Sequence, residues 1–343
     1  MLSTLFIGDP HFQVDNIQDV EIFISKVYSL VDAKKYDFVC ILGDLLHTHE
    51  KIHSVPMNKA IEFVTKLATM TKDVILLVGN HDMYSNQEYL NTNHWMNCLK
   101  SIPRVHVIDT VTKLCFKNMD LVFVPYVYPG KFKLALDSML ADWSSCKCIV
   151  AHQEFFGCSM GAIKSVDGDV WSEHYPPVIS GHIHNNQMIE PNIYYPGSAL
   201  QHSFGDTGKN IVAGVTFEET SRFYVLEEID LDLPRKKIIY SNVKDKIVIP
   251  VVKQGERVRM TISGNQDEFK AFKKSENYKK LLNSGIKVVF RPEKLDIASN
   301  CAATKDDICV SDFGNILKKM VEDTKCSYVY SAYEMVVNDK EMK

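Results

Sequence analysis

Three short apolar runs near the start of the chain each end in a glycine followed by polar residues: "TLFIGD", "DFVCILGD" and "DVILLVGNHD". Stretches with helical periodicity, at about 16–35 and 56–70, separate them. This spacing predicts the order β-α-β-α-β, because short buried runs bounded by Gly and Asp are typical of parallel strands. Ligands of such sheets bind beyond the carboxyl ends of the strands, so the polar residues that follow each run are candidates for a functional site.

Later parts of the chain favour a second sheet and then a smaller domain. The runs "CKCIVAHQE" and "PPVISGHIHNN" also end in histidines. We expect a boundary where "DLPRKK" interrupts the pattern, with one domain over 1–235 and a small α+β domain over 236–343, including helices at about 265–283 and 311–323. The charge changes in the same region: residues 241–343 carry 19 Lys+Arg against 15 Asp+Glu, while the first 240 carry 20 against 28.

Composition narrows the class of protein. A hydrophobic content of 45% and a charged content of 24% are average for soluble globular proteins. The sequence has no apolar run of ~20 residues and no signal-peptide pattern. We therefore expect a soluble intracellular protein of the cytoplasm or nucleus, with no membrane association. The nine cysteines are scattered, which favours reduced thiols over a disulfide framework or a structural zinc.

The polar residues at the predicted strand ends form one ordered set. They are Asp9, His11, Asp44, Asn80, His81, Asp82, His152, His182 and His184. One such motif is weak evidence, but five in one α/β frame are unlikely to coincide by chance. Carboxylate, amide and imidazole ligands suit Mn, Fe or Zn. We expect two divalent ions, with Mn as the leading choice and Fe, Zn or Mg as alternatives.

Two ions about 3.5–4 Å apart need a shared ligand and would activate a water for in-line attack on phosphorus. Asp44 has the middle position in the set and is the natural bridge. His81 is predicted to act as a general acid or as a hydrogen-bond donor to the developing charge. Asp82 is predicted to fix the tautomer and orientation of the His81 ring.

The series "GDPH", "GD", "GNHD", "AHQE" and "GHIH" resembles the calcineurin-like metallophosphoesterase superfamily over about residues 5–185. The resemblance implies a four-layer α/β/β/α sandwich with a small C-terminal α+β capping domain. It also implies two ligand sets and a catalytic His81. One ion would be held by Asp9, His11, Asp44 and His184, and the other by Asp44, Asn80, His152 and His182. Pro10 departs from the usual pattern but leaves both flanking side chains free.

Two further segments resemble the SbcD-type double-strand-break-repair nucleases. "GDLLH" is similar to their G-D-L-F-H/D motif, which places an assisting histidine at His47, and "IYYPGSALQHSFGDTGK" is similar to Y-P-G-S…S-F-G-E-T, with Asp206 in place of Glu. This resemblance implies a DNA exonuclease or endonuclease of repair or recombination. It also implies DNA and a Rad50/SbcC-like ATPase as partners, and allows a homodimer. The compact C-terminal part suggests a viral or phage source.

Two other hypotheses stay open. The chain could be a metallophosphatase or phosphodiesterase that acts on a small molecule or a phosphoprotein, or a scaffold without catalysis. The basic segment "KAFKKSENYKK" is interpreted as a solvated helix face rather than as a surface that follows phosphates. The remaining histidines are expected to be surface or core residues: His49, His53, His94, His106, His174 and His202.

Overall fold

The computed structural model describes residues 1–49, 51–87, 89–161, 163–189, 192–206, 208–252, 256–293, 313–324, 328–330 and 333. The strands are β1 (Leu2–Ile7), β2 (Phe38–Ile41), β3 (Asp73–Leu77), β4 (Val105–Ile108), β5 (Thr112–Phe116), β6 (Met119–Val124), β7 (Cys148–His152), β8 (Ser159–Met160), β9 (Ile163–Lys164), β10 (Val178–Gly181), β11 (Gln187–Ile189), β12 (Ile193–Tyr195), β13 (Val212–Phe217), β14 (Tyr224–Ile229), β15 (Lys236–Asn242), β16 (Arg257–Gly264) and β17 (Lys287–Pro292). The helices are α1 (Ile17–Lys34), α2 (Ser54–Met70), α3 (Phe132–Asp137), α4 (Gln266–Phe272), α5 (Glu276–Asn283) and α6 (Phe313–Asp323).

The first sheet has six strands in the order β14-β13-β1-β2-β3-β4. Strands β1, β2, β3 and β4 are parallel to one another, and β13 pairs with the other edge of β1 in the antiparallel sense. Helices α1 and α2 make the crossovers between β1, β2 and β3, so the predicted β-α-β-α-β order is confirmed. The carboxyl ends of β1, β2 and β3 therefore lie side by side at one edge of the sheet.

The second sheet also has six strands, in the order β11-β12-β10-β7-β6-β5. Its central strands β12, β10, β7 and β6 are parallel, and antiparallel strands close both edges. Strands β7 and β10 are adjacent in register, with Gly181 opposite His152. The two histidine-bearing strand ends predicted from the sequence are thus neighbours in this sheet.

Alternating apolar residues stack the two sheets face to face. Phe6 and Cys40 of the first sheet join Phe123 and Val150 of the second in one buried cluster. Because side chains alternate along a strand, the residues between them point to the outer faces. Burying an aromatic side chain such as that of Phe6 contributes about 1.5–3 kcal/mol, so this interface holds the sheets at a defined separation.

Helices cover the outer faces. On the first sheet, α1 buries Val20, Phe23, Val27 and Val31 at helical spacing, and they pack with Phe63 of α2. On the second sheet, α3 and the tryptophan-bearing loops after it form the outer layer. The layers run helix, sheet, sheet, helix, which confirms the predicted α/β sandwich.

A small three-stranded parallel sheet, in the order β15-β16-β17, follows the sandwich and packs on α4 and α5. The single helix predicted over 265–283 is two helices. Ser275 separates them, because its side chain accepts a hydrogen bond from the backbone N–H of Tyr278 and so caps a new helix. Residues Met1–Pro292 form one compact unit, and the division at 235/236 stays a prediction.

Residues Glu293–Lys343 form a second unit. Helix α6 corresponds to the helix predicted over 311–323, of which residues 311 and 312 lie outside the described residues. Across the described part of the chain, no helix is both long enough and apolar enough to span a bilayer.

Candidate metal centre

The carboxyl ends of five strands meet at one edge of the sandwich. Loops after β1, β2 and β3 carry the first six predicted site residues, and β7 and the loop after β10 carry the three histidines of the second sheet. Most of these side chains are shielded from solvent, and those of Asp9, His11, Asp44 and His152 are fully buried. Buried charged and imidazole groups are costly unless they are paired or bind a cation, so their convergence calls for a functional explanation.

One group of side chains surrounds the amide oxygen of Asn80. Its Oδ1 lies 3.1 Å from Nε2 of His152 and 2.9 Å from Nδ1 of His182. Nε2 of His152 is also 3.4 Å from Oδ2 of Asp44. The Nδ1 of His152 lies 2.6 Å from the carbonyl oxygen of Leu42. A carbonyl can only accept, so Nδ1 carries a proton, and Nε2 is the nitrogen that a metal would bind in place of a second proton.

A second group of side chains also includes Asp44. Nε2 of His11 is 3.6 Å from Oδ2 of Asp44 and 3.1 Å from Nε2 of His184. Asp9 Oδ1 accepts a hydrogen bond of 2.8 Å from the backbone N–H of His182. Asp44 therefore belongs to both groups, as its predicted role as a bridge requires.

Three observations test whether these residues fit a metal. The Oδ2 atom of Asp9 is buried and has no hydrogen-bond partner among the described residues. Nε2 atoms of His11 and His184 face each other at hydrogen-bond distance, and Asp9, His11 and Asp44 offer ligand atoms within 4.8 Å of one another. Bare oxygen and imidazole nitrogen atoms arranged in this way suit a divalent cation. The residues therefore fit a divalent metal ion.

Burial and neighbouring charges set the protonation of these groups. Burial lowers the pKa of His182 to about 3, which keeps this ring in the neutral form that a metal binds. Burial also acts to lower the pKa of His152, but the Asp44 carboxylate reverses this and raises it to about 9. Burial acts to raise the pKa of Asp44, and His152 and His11 bring it well below its usual range. Asp44 is therefore the charged centre of the site.

The backbone at the site adopts conformations that are costly for residues other than glycine. Asp9, His11, Asp44 and His182 have φ angles of 40°, 45°, 51° and 79°. Each such residue costs on the order of 1–2 kcal/mol. The surrounding contacts compensate for this cost, as in the hydrogen bond of 2.9 Å from the N–H of His11 to the carbonyl oxygen of Asp44. Strain of this kind is concentrated at functional sites.

Three histidine rings line one side of this centre. His81 and His47 are nearly parallel, with an interplanar angle of 15° and centroids 5.4 Å apart, and His49 stacks on His81 at 4.2 Å. Nδ1 of His81 lies 2.6 Å from the carbonyl oxygen of His47, so this nitrogen carries a proton and Nε2 is directed elsewhere. Nδ1 of His47 is 3.3 Å from Nδ1 of His11. His47 therefore links His81 to a candidate metal ligand.

The predicted contact between Asp82 and the His81 ring is wrong. Oδ2 of Asp82 accepts hydrogen bonds from the backbone N–H groups of Asp44 at 2.8 Å and Gly79 at 3.1 Å. Its Oδ1 accepts one of 2.8 Å from the indole of Trp95. Asp82 lies in a 3₁₀ turn that points its side chain inward, and the carbonyl oxygen of His47 takes the tautomer-fixing role instead. Asp82 therefore positions the loop that carries Asp44.

Two histidines expected to be uninvolved lie beside the centre. His49 is half-buried against His81. The ring of His202 packs edge to face on those of His11 and His184, with centroids 4.8 Å and 4.9 Å away. Neither belongs to a strand-end motif, and the segment "YYPGSALQHSFGD" that contains His202 was the available signal. The other four lie as expected: His94 and His106 pair with aspartates, and His53 and His174 are exposed.

Two openings give access to the centre. A cleft of about 700 Å³ is lined by the histidine side, including His47, His49, Lys51, His81 and Tyr84. A separate cavity of about 620 Å³ has a lining that includes Ser159, His182, His184, Asn185 and Asp206. One opening thus reaches candidate metal ligands, and the other reaches the predicted catalytic histidines.

Residues 2–186, with this fold and this arrangement of strand-end loops, match the family model described as calcineurin-like phosphoesterase. The chain belongs to this family, whose members use divalent metals, and is a phosphoesterase hydrolase. The residue-by-residue ligand sets stay a prediction.

Relatives agree at the level of the family. The chain is 42% identical over 295 residues, 84% of each chain, to a protein of Invertebrate iridescent virus 3 named "Putative phosphoesterase 078R". It is 41% identical to "Putative phosphoesterase 244L" of Invertebrate iridescent virus 6, over 79% of this chain and 97% of the relative. A nuclease SbcCD subunit of Staphylococcus saprophyticus is more distant, 24% identical over 67% of this chain and 68% of the relative. The viral relatives fit the expected viral source.

Proposed function

We propose that this chain is a two-metal DNA phosphodiesterase of the SbcD type, acting as an exonuclease or endonuclease in repair or recombination. The main support is that two groups of candidate ligands share Asp44. Asp9, His11, Asp44 and His184 would hold one ion, and Asp44, Asn80, His152 and His182 the other. When bound, two divalent ions supply an activated water and neutralise charge on the attacked phosphate.

His81 would serve the reaction through one defined atom. Because Nδ1 donates to the carbonyl oxygen of His47, proton transfer or donation to a phosphate oxygen falls to Nε2. The backbone N–H of His81 also donates to Oδ1 of Asp44 at 2.8 Å, which ties the ring to the bridging carboxylate. The position of His81 is thus coupled to the ligand that both ions would share.

His47 provides the local support for a nuclease. If Nε2 of His11 binds metal, its Nδ1–H donates to Nδ1 of His47, which leaves Nε2–H of His47 for substrate. The cleft that His47 and His81 line also contains Lys51 and Tyr84, which suit a phosphate and a base or sugar face. The distant similarity to an SbcCD nuclease component points the same way. A Rad50/SbcC-like ATPase and a homodimer belong to the proposal as partners.

The test is hydrolysis of linear duplex and single-stranded DNA in the presence of Mn²⁺. We expect cleavage by the wild type, a loss of about 10²-fold or more in His81→Ala, and no cleavage by Asp44→Asn. His174→Ala is the matched control, since His174 is exposed and its ring lies 3.9 Å from the carboxylate of Glu173, at the surface. Wild-type protein that binds metal but cleaves neither DNA would refute the nuclease assignment.

A phosphatase or phosphodiesterase for small molecules or phosphoproteins is the alternative. The cavity of about 620 Å³ beside His182 and His184 favours it, because this volume is that of a small-ligand pocket. Rapid turnover of a phosphomonoester or cyclic nucleotide, without DNA cleavage, would decide for this alternative.

A further inference from the structure

His202 is a half-buried histidine that neither proposed ligand set uses. Its backbone is held on both sides: its N–H donates to Oδ2 of Asp206 at 3.0 Å, and its carbonyl accepts from Nζ of Lys236 at 2.8 Å. The loop is also attached to the metal-bearing loops, because the N–H of Ser198 donates to the carbonyl of His184 at 3.0 Å. The His202 ring therefore has a defined place beside the centre.

The two ring nitrogens of His202 differ in their hydrogen bonding. Nε2 lies 2.8 Å from the carbonyl oxygen of Asp9. A carbonyl only accepts, so Nε2 carries the proton and Nδ1 carries the lone pair. Nδ1 is buried and has no hydrogen-bond partner among the described residues. A buried acceptor without a partner costs about 1–3 kcal/mol, so this nitrogen needs a ligand.

His152 has the same arrangement with its nitrogens exchanged. Its Nδ1 donates to the carbonyl oxygen of Leu42, and its Nε2 points to the candidate ligands of the second ion. Metal-binding histidines usually donate their other N–H to a carbonyl or carboxylate in this way. His202 therefore has the local geometry of a ligand rather than that of a core histidine.

The neighbours of His202 are candidate ligands themselves. One ligand nitrogen from each of His11, His184 and His202 lies within 4.8 Å of the other two. Three neutral imidazoles at this separation would repel through their lone pairs unless a cation or protons lay among them. Oxygen-rich sites favour Mg²⁺, whereas added imidazoles favour transition metals. A third histidine would thus also bias the choice of metal.

We propose that His202 is a further ligand, through Nδ1, of the ion that His11 and His184 hold. This inference rests on the metal site proposed above. His202 raises the affinity for that ion and its preference for Mn²⁺ or Co²⁺ over Mg²⁺. The second ion, on the side of His152 and His182, is unaffected.

Two isosteric substitutions separate a ligand from a packing residue. In His202→Asn, the side-chain oxygen can take the place of Nδ1, and in His202→Gln the side-chain nitrogen can take the place of Nε2 and keep the bond to the Asp9 carbonyl. Calorimetric titration of the metal-free proteins with Co²⁺ and Mg²⁺ measures both sites, and the visible spectrum of bound Co²⁺ reports the ligands. Circular dichroism and the thermal midpoint of the metal-free variants check that each folds.

We expect His202→Gln to bind one Co²⁺ about tenfold or more weakly with a changed spectrum, to keep the other Co²⁺, and to lose preference for Co²⁺ over Mg²⁺. His202→Asn should lose less Co²⁺ affinity than His202→Gln, and His174→Gln should bind Co²⁺ as tightly as the wild type. Equal Co²⁺ affinity in all variants, or a greater loss in Asn than in Gln, would overturn the inference and leave the two-metal site intact. A wild type that binds no Co²⁺ or Mn²⁺ would refute the metal site itself and this inference with it.

Discussion

Replacing Asp82 by asparagine tests whether this buried carboxylate organises the site. Every hydrogen bond the structure gives to its two oxygens comes from an N–H donor. Oδ2 accepts from the backbone of Asp44 and Gly79, and Oδ1 from the indole of Trp95 and, at 3.4 Å, the backbone of Leu46. An asparagine amide has one oxygen and one NH₂ group. Whichever way it turns, its NH₂ group meets two of these donors.

The cost follows from the contacts that would be lost. Two buried donors left without an acceptor cost about 1–3 kcal/mol each, and relaxation recovers part of this. A gain opposes the loss, because burial and the Asp44 carboxylate raise the pKa of Asp82 to about 7, and a neutral amide removes that repulsion. We therefore expect Asp82→Asn to lower the free energy of unfolding by about 2–3 kcal/mol.

The metal affinity should fall as well. Asp44 holds its unfavourable φ of 51° with the help of the bond from its N–H to Asp82. If the loop relaxes, the shared carboxylate moves and both ions bind about 10- to 100-fold more weakly.

Urea unfolding followed by tryptophan fluorescence, and calorimetric titration with Mn²⁺, measure the two effects. Asp120→Asn is the matched control, because Asp120 pairs with the partly exposed Lys113 at the surface and such pairs contribute about 0–1 kcal/mol. An Asp82→Asn protein within ~0.5 kcal/mol of the wild type would contradict the hydrogen-bond argument. Reduced stability with unchanged Mn²⁺ affinity would contradict the role in positioning Asp44.

Three other perturbations have expected outcomes. In Gly79→Ala the new Cβ would lie 2.2 Å from Oδ1 of Asp44, so Mn²⁺ affinity by calorimetry should fall about tenfold or more, whereas Gly205→Ala, with 3.5 Å to the nearest atom, should match the wild type. Removing metal with a chelator should lower the thermal midpoint, and readdition should restore it, because ions that bind only the folded state stabilise it. Burial acts to raise the pKa of Asp37, but hydrogen bonds from two lysines and a backbone N–H lower it to about 2. Asp37→Asn should therefore lower the free energy of unfolding by about 1–2 kcal/mol above pH ~4. Urea midpoints should show this difference shrinking as the pH falls toward 2, because the folded protein is stabilised by the ionised carboxylate only.

Strands and their order could be predicted from the sequence where each signal was local. The runs before Asp9, Asp44 and Asn80 are short, apolar and bounded by glycine, and the helices between them have one buried face. The break at Ser275 is also local, but the helical pattern of the sequence continues across it. In a polar, lysine-rich segment, a serine that caps a helix cannot be distinguished by sequence from a solvated helical residue. The hydrogen bond that its side chain accepts from the N–H of Tyr278 identifies it as a cap.

Roles at the site were harder to predict than positions. The strand-end motifs predict that Asp44 is shared by two sets of candidate ligands, and Asp44 lies 3.6 Å from His11 of one set and 3.4 Å from His152 of the other. Adjacency in sequence predicts that Asp82 orients His81, whereas the donors to Asp82 come from three separate segments. His202 and His49 reach the centre only through tertiary contacts, so no spacing rule could single them out.

Pro10 shows how tertiary contacts determine the backbone of this site. A residue before proline normally adopts an extended conformation, yet Asp9 has a φ of 40° and His11, after the proline, one of 45°. Two hydrogen bonds hold the segment from Gly8 to His11 at its ends. The N–H of His11 donates to the carbonyl oxygen of Asp44, and the N–H of Ala199 donates to that of Gly8. Pro10 has no N–H to satisfy, so the turn leaves no buried donor unpaired there. The strained turn therefore directs the side chains of Asp9 and His11 toward the candidate metal centre. Hydrogen bonds to the neighbouring loops compensate for the cost of the unfavourable backbone conformation.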